Sequence, residues 1–361
     1  MLGIIKRPKV LALLILAIIL FVLSLAGGAL GKEFGFGFLG TPLPHIQLPA
    51  EPISASPLIG SFRITNTMVA SWAAILVLTL LSYFGTRQAK EIPGRLQGFL
   101  ELVLELFLTL SERVAGPEKA RIFLPLVVTI FLFVVTANWM GILPGYGTVG
   151  RFEPAKTVIH HAEEKSHAKG KSGDHDSGYL DKTKIQIFEN AGPIKVQNPG
   201  SVGTEITARV YLEPEENELQ SGQIGGLLVP FLRSANTDIN TTLGIALISM
   251  FMVQFWGFRR LGIFGHLGKF INFTNGPIGF FVGILEGISE FARIISFTFR
   301  LFGNIFAGEV LLMAMAFLLP LIGLIPFLGL ELFVGLIQGL IFAVLTLVFS
   351  AMATVEHSEE H

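Results

Sequence analysis

The stretch PIGFFVGILEGISEFARIISFTFRLFGNIFAGEVLLMAMAFLLP, residues 277–320, decides the fold. No proline interrupts the 42 residues between Pro277 and Pro320. As one helix they would extend about 63 Å at a rise of about 1.5 Å per residue, twice the ~30 Å of a bilayer's hydrocarbon. The segment is therefore one steeply tilted helix, or two spans broken near Gly303-Asn304. It also carries charge at depths where charge is expensive: Glu286, Glu290, Arg293, Arg300 and Glu309. On an ideal wheel with Glu286 at 0°, Glu290 falls at about 40°, Arg293 at about −20°, Arg300 at about −40° and Asn304 at about 0°. Glu309 falls at about 140°, away from that stripe.

Working outward, the rest of the chain agrees with residence in lipid. Of 361 residues 51% are hydrophobic and only 15% are charged, and mean hydropathy is +0.64. A soluble domain carries about 25% charged residues, so a soluble enzyme, a nucleic-acid binder and a disordered scaffold are poor readings. Net charge is −1, which leaves no basic footprint for nucleic acid at the whole-chain level. With no cysteine, disulfides, thiolate metal sites and cysteine nucleophiles are excluded.

Residues 1–31 hold an apolar run from Val10 to Leu30 behind Lys6, Arg7 and Lys9. That pattern fits a cleaved signal peptide and a retained transmembrane helix equally well. Residues 32–150 begin with a Pro- and Gly-rich outer loop. A span follows over Thr65–Phe84. Arg87, Lys90, Arg95, Arg113, Lys119 and Arg121 then mark a cytoplasmic loop by the positive-inside rule. Within that loop Leu96–Leu110 reads as an interfacial helix, because Glu101 and Glu105 interrupt its apolar run. A second span covers Ile122–Leu143. Residues 151–228 form a polar insertion. Its His160–Gly178 stretch reads as solvated loop, and Thr204–Leu212 alternates as a strand does. Residues 229–361 hold a span over Thr237–Phe258, the long segment, and a last helix over Phe327–Thr354 on which Glu331 and Gln338 share a face. The expected fold is an all-α membrane protein with a small strand-containing outer insertion.

A charged side chain at membrane depth costs at least about 2.5–3.5 kcal/mol on insertion scales. The stripe should therefore face a partner, water or an ion path. A blander reading has Glu286, Glu290 and Arg293 pairing near the interface at three- and four-residue spacing. A break at Gly303-Asn304 would let Arg300 snorkel and would turn the C-terminus outward. Composition alone leaves these alternatives open.

The run Phe299-Arg-Leu-Phe-Gly-Asn-Ile-Phe-Ala-Gly-Glu309 resembles the signature of subunit a of the F-type ATP synthase. Gln338-Gly-Leu-Ile-Phe-Ala-Val-Leu-Thr-Leu347 is similar to that family's last helix, and Asn138–Pro144 and Asp238–Leu243 are similar to its middle spans. The likeness covers Thr65–Leu143 and Val229–His361. The insertion is larger than the family's usual outer loop, and the N-terminal apolar segment is extra.

The resemblance implies five family-type helices, the last two long and tilted against a rotating ring of small subunits, with the C-terminus in the cytoplasm. It implies a stationary subunit in a bacterial cytoplasmic membrane, partnered by the c-ring and by peripheral-stalk subunit b. It would form two offset proton half-channels and no catalytic site of its own. Arg300 would separate the half-channels, since a guanidinium keeps its proton and favours the charged form of each ring carboxylate. Glu309 and Glu331 would line the outer path, Asn304 and Gln338 would orient water or Arg300, and Glu286 with Glu290 would stand at the inner mouth. For Asn304 and Gln338 the alternative is interhelical packing.

No cofactor is expected. A divalent metal on His160, His161, His167, His175, Asp174 and Asp176 is disfavoured by the Lys- and Gly-rich surroundings. The absence of a G-x-x-x-x-G-K-[ST] loop puts ATP chemistry on other subunits. Two rivals are a secondary transporter and a membrane anchor for the insertion. A transporter often shows two similar halves, and no internal repeat is visible. An anchor leaves the charged stripe unexplained.

Overall fold

A computed structural model describes residues 8–32, 34–36, 49–53, 60, 62–168, 180, 183–188, 194–196, 206–212, 224–270, 276–320 and 322–355. Eight helices frame it: α1 (Pro8–Gly27), α2 (Asn66–Thr86), α3 (Arg95–Ala115), α4 (Pro117–Gly141), α5 (Ala155–Ala168), α6 (Ile239–Phe270), α7 (Gly276–Leu318) and α8 (Ile325–Ala353). Among the described residues five helices are long and apolar enough to cross a membrane: Asn66–Thr86, Pro117–Gly141, Ile239–Ile263, Phe281–Leu318 and Ile322–Ala353. The chain is a multi-pass integral membrane protein. The long segment is a single helix of 43 residues with no break at Gly303-Asn304. Its 38-residue apolar part is about 57 Å long, so it crosses ~30 Å of hydrocarbon obliquely.

The chain divides into two units. One contains Thr67–Ile142, Ser234–Ala307 and Glu331–His361. Here α3 and α4 form a hairpin about Gly116, whose φ of 80° lies in the region glycine tolerates. The apolar side of α3 is taken up by α4: Phe107 meets Phe131 at a ring separation of 4.8 Å, well along α4 from the turn. These residues join Phe123, Val127, Trp256, Ala343 and Leu347 in one core cluster. A second cluster sets Phe297, Leu301 and Ile305 of α7 against Ile130, Val134, Ala246, Met250 and Phe342.

Polar pins cross this unit. Thr67 Oγ1 donates to Asp238 Oδ2 at 2.9 Å, and the Ser249 and Thr346 hydroxyls meet at 2.8 Å. Small residues set the closest approach. A Cβ on Gly339 would collide with Val135, and one on Gly335 would press on Asn138. Such contacts replace the hydrophobic drive that lipid removes. Lys119 Nζ donates to the Thr354 carbonyl at 3.3 Å, which puts the basic start of α4 beside the last turn of α8. Cation and helix C-terminus suit one another there.

The other unit contains Met1–Asn66, Leu143–Arg233 and Gly308–Leu330. Its sheet joins β1 (Val149–Pro154), β2 (Lys184–Phe188), β3 (Ile194–Val196), β4 (Ile206–Thr207) and β5 (Ile224–Pro230) in the order β3-β1-β5-β2-β4. Every pairing is antiparallel, with Arg151 opposite Val229 and Ile187 opposite Gly225. The central strand β5 is buried from Gly225 to Val229. The alternating run ending at Leu212 is only partly strand. Ile206–Thr207 pairs with β2, and Ala208–Leu212 turns into helix, burying Ala208 and Tyr211 against Ile159 and Ile185. In this unit Gly28, just past α1, comes so close to the Leu318 carbonyl and the Pro320 ring that no Cβ fits.

Candidate functional site

The stripe on α7 has two sides with different fates. Phe297, Leu301 and Ile305 recur at four-residue spacing and are core. Arg300 and Asn304, also one turn apart, are exposed. Arg300 Nη2 reaches only Ser296 Oγ, at 3.4 Å, and its guanidinium lies 6.0 Å from the Phe297 ring centroid. Among the described residues no carboxylate pairs with it.

About two to four turns earlier the same helix carries a paired network. Arg293 binds Glu290 directly and approaches Glu286 at 3.6 Å. Its guanidinium also lies 4.6 Å over the Phe349 ring. Gln254 Nε2 donates to Glu290 Oε2 at 2.9 Å, and Gln254 Oε1 meets His266 Nε2 at 2.6 Å. The geometry fixes the roles. An ionised carboxylate only accepts, so Gln254 turns its amide N–H to Glu290 and its oxygen to His266, which must donate from Nε2. His266 is buried because α6 kinks at Gly262 and folds back, packing the imidazole on Phe258 and against Gly257. The pairing of Glu286, Glu290 and Arg293 that the blander reading of the spacing offered is present. Gln254 and His266 were not signalled: one glutamine in an apolar span reads as packing.

Glu331 and Gln338 are both buried, at 8% and 9% exposure, on one face of α8. Gly335 lies between them on that face, and Asn138 Nδ2 donates to its carbonyl at 3.2 Å. Asn236 Nδ2 in turn donates to Asn138 Oδ1 at 2.7 Å. The Trp139 indole donates to the Leu332 carbonyl at 3.0 Å. A polar seam thus runs between α4 and α8.

In the other unit Glu309 meets an arginine that sequence reasoning did not single out. Arg233 Nε lies 3.0 Å from Oε1 and 3.2 Å from Oε2, and Nη2 lies 3.1 Å from Oε2. Arg233 is 6% exposed and the Glu309 side chain 23%. Beside this fork stands Glu51, likewise unsignalled in a proline-rich loop. Asn66 Nδ2 donates to Glu51 Oε2 and to the Pro230 carbonyl, each at 3.3 Å. Burial pushes the Glu51 carboxyl up to about 7; Arg233 opposes the shift, while Glu309 and Glu153 add to it. A contact of 3.3 Å joins His161 Nδ1 to Glu153 Oε1. His160 and His161 stand with ring centroids 6.4 Å apart. Asp174, His175, Asp176 and the side chain of His167 lie outside the described residues, and among the described residues no three metal-ligating side chains cluster.

Similarity to known proteins matches this arrangement. The family profile described as ATP synthase A chain matches residues 68–351. The ATP synthase subunit a of Gloeobacter violaceus (strain ATCC 29082 / PCC 7421) is 27% identical over 296 residues, which cover 82% of this chain and 86% of that protein. An exposed arginine on an oblique membrane helix, a polar seam on the next helix and a profile match over most of the chain converge: the chain belongs to the ATP synthase A chain family, the subunit a of F-type ATP synthases.

Proposed function

We propose that this chain is the stationary half of a rotary proton path, with Arg300 as the separator between two offset half-channels that meet a ring of carboxylate-bearing subunits. One observation carries this reading: Arg300 is presented outward from a membrane helix whose opposite side is core, and no carboxylate of the chain's described residues takes it up. Each passing ring carboxylate would be attracted, deprotonated on approach and reprotonated on departure. Because a guanidinium does not give up its proton, no proton crosses directly. The driving field supplies about 2.3 kcal/mol per proton per 100 mV. Glu309 and Glu331 belong to the outer path and Glu286 and Glu290 to the inner one, with Asn304 and Gln338 orienting water. The ring, peripheral-stalk subunit b and the lipid are the partners, and ATP chemistry stays on other subunits.

Orientation follows from charge. Lys119 meets the end of α8, and Gly257, two residues before Arg259, packs against the Ala353 carbonyl. The basic ends of α4 and α6 therefore stand with the end of α8, which supports a cytoplasmic C-terminus in a bacterial cytoplasmic membrane. Replacing Arg300 with Ala is expected to abolish proton-driven ATP synthesis while the complex still assembles on native gels. Retained synthesis would overturn the proposal. Cross-linking from Asn304→Cys to a ring subunit, and a reporter fused after His361, test the facing surface and the orientation.

A further inference from the structure

The outer insertion, the N-terminal loop and the start of α2 bring four different groups together around the Arg233–Glu309 fork. Glu51 comes from the loop before α2, Asn66 from the first turn of α2, Glu153 from β1 and His161 from α5. The His161 side chain is 49% exposed and that of Glu153 17%, and Glu51 is half-buried. Within the fork Glu309 is committed. Both its oxygens accept from a buried guanidinium, and protonating it would forfeit charge-assisted bonds. Glu51 is not committed in that way. Its side chain accepts one long bond from a neutral amide. The charged groups facing it are Arg233, already engaged by Glu309, and the like charges of Glu309 and Glu153.

We propose that Glu51 is the proton-collecting group of the outer path, and that the insertion feeds it through His161 and Glu153. This rests on the half-channel reading above. In each cycle a proton from outer water, guided past His161 and Glu153, adds to the Glu51 carboxylate; that O–H then breaks and the proton passes to water of the path. Glu51 returns to carboxylate, nothing is oxidised, and the Arg233–Glu309 pair keeps its charges. Collection matters because free protons are scarce. Even at a diffusion limit of about 10¹⁰ M⁻¹ s⁻¹, a single group at about pH 8 meets only ~100 protons per second. A carboxyl titrating near 7 changes its protonated fraction about tenfold between about pH 6 and pH 8.

The test measures potential-driven proton conduction by the whole complex in vesicles, with the outer pH varied and the inner pH held. E51Q keeps a hydrogen-bond acceptor for Asn66 and loses the titrating group. It is expected to match wild type at about pH 6 and to fall about tenfold at about pH 8. Glu51→Asp keeps a carboxyl and should retain most of the rate at both. His161 lies at the surface of the insertion and Glu153 beneath it; E153Q and H161N each keep a polar side chain of similar size, and each should cost about two- to threefold at the higher pH only. A wild-type rate in E51Q, or a deficit of the same size at every pH, overturns the proposal. If E51Q does not assemble, E153Q and H161N decide it, and pH profiles identical to wild type overturn it. Arg300→Ala in the same vesicles separates the two claims. If it still sustains coupled synthesis, the half-channel reading fails. If it does not, while Glu51 proves indifferent, only the collecting role fails.

Discussion

Arg233→Leu takes a buried cation away from Glu309 and leaves its carboxylate without that partner, beside the like charge of Glu51. Three contacts of 3.0–3.2 Å are lost together. Breaking one side of a buried pair costs about 3–5 kcal/mol. The Glu309 side chain keeps 23% exposure, so some water remains and the lower end of that range applies. The destabilisation should therefore be about 3 kcal/mol. SDS-titrated unfolding of the full chain in mixed micelles, run as a cycle of R233L, E309Q and the double variant, reads the coupling. Arg233→Lys should recover only part, because an ammonium cannot fork. A coupling below about 0.5 kcal/mol would refute the view that this pair is a charge clamp and leave Arg233 as packing alone.

Two further outcomes test other parts of the framework. Gly339→Leu drives a side chain into Val135 and the Phe131 carbonyl, so it should cost at least about 1–3 kcal/mol and release α8 from α4; native gels should show lost assembly, whereas Gly329→Ala, in open space, should assemble normally. Gly257→Ala should expel His266 and free the segment after the Gly262 kink to labelling of a cysteine placed at Leu267, and His266→Ala added to it should change little further, since both remove one contact.

The spans were legible because lipid imposes a length and a hydropathy that few other environments demand. The single long helix was legible in part: its missing prolines allowed it, and the resemblance selected it over a break at Gly303-Asn304. The pairing of Glu286, Glu290 and Arg293 followed from helical spacing. Arg233 did not, because it lies 76 residues from Glu309 and nothing local marks a partner at that separation. Glu51 was hidden for a different reason. Its loop has no periodicity, and its environment arises only when α2, β1 and the end of α7 supply neighbours. The strand reading of the run to Leu212 failed where tertiary packing of Ala208 and Tyr211 outweighed alternation.

The charges on α7 can be sorted by where their compensation comes from. Glu286 and Glu290 are answered by Arg293, and Glu309 by Arg233. Two arginines of the chain thus answer three acids, and the Glu286 side chain stays 45% exposed. Arg300 alone on this helix carries full charge outward, with one long bond to a serine and a ring 6.0 Å away. At membrane depth that arrangement costs at least about 2.5–3.5 kcal/mol unless something outside the chain answers it. A permanent acid within the chain would answer it too well: a buried, hydrogen-bonded ion pair costs about 3–5 kcal/mol to break, which would hold a moving partner in place at each step. Weak internal contacts leave Arg300 able to take a carboxylate and let it go. The same chemistry that makes an uncompensated arginine expensive in lipid makes it suitable for a surface past which anionic groups must move in turn.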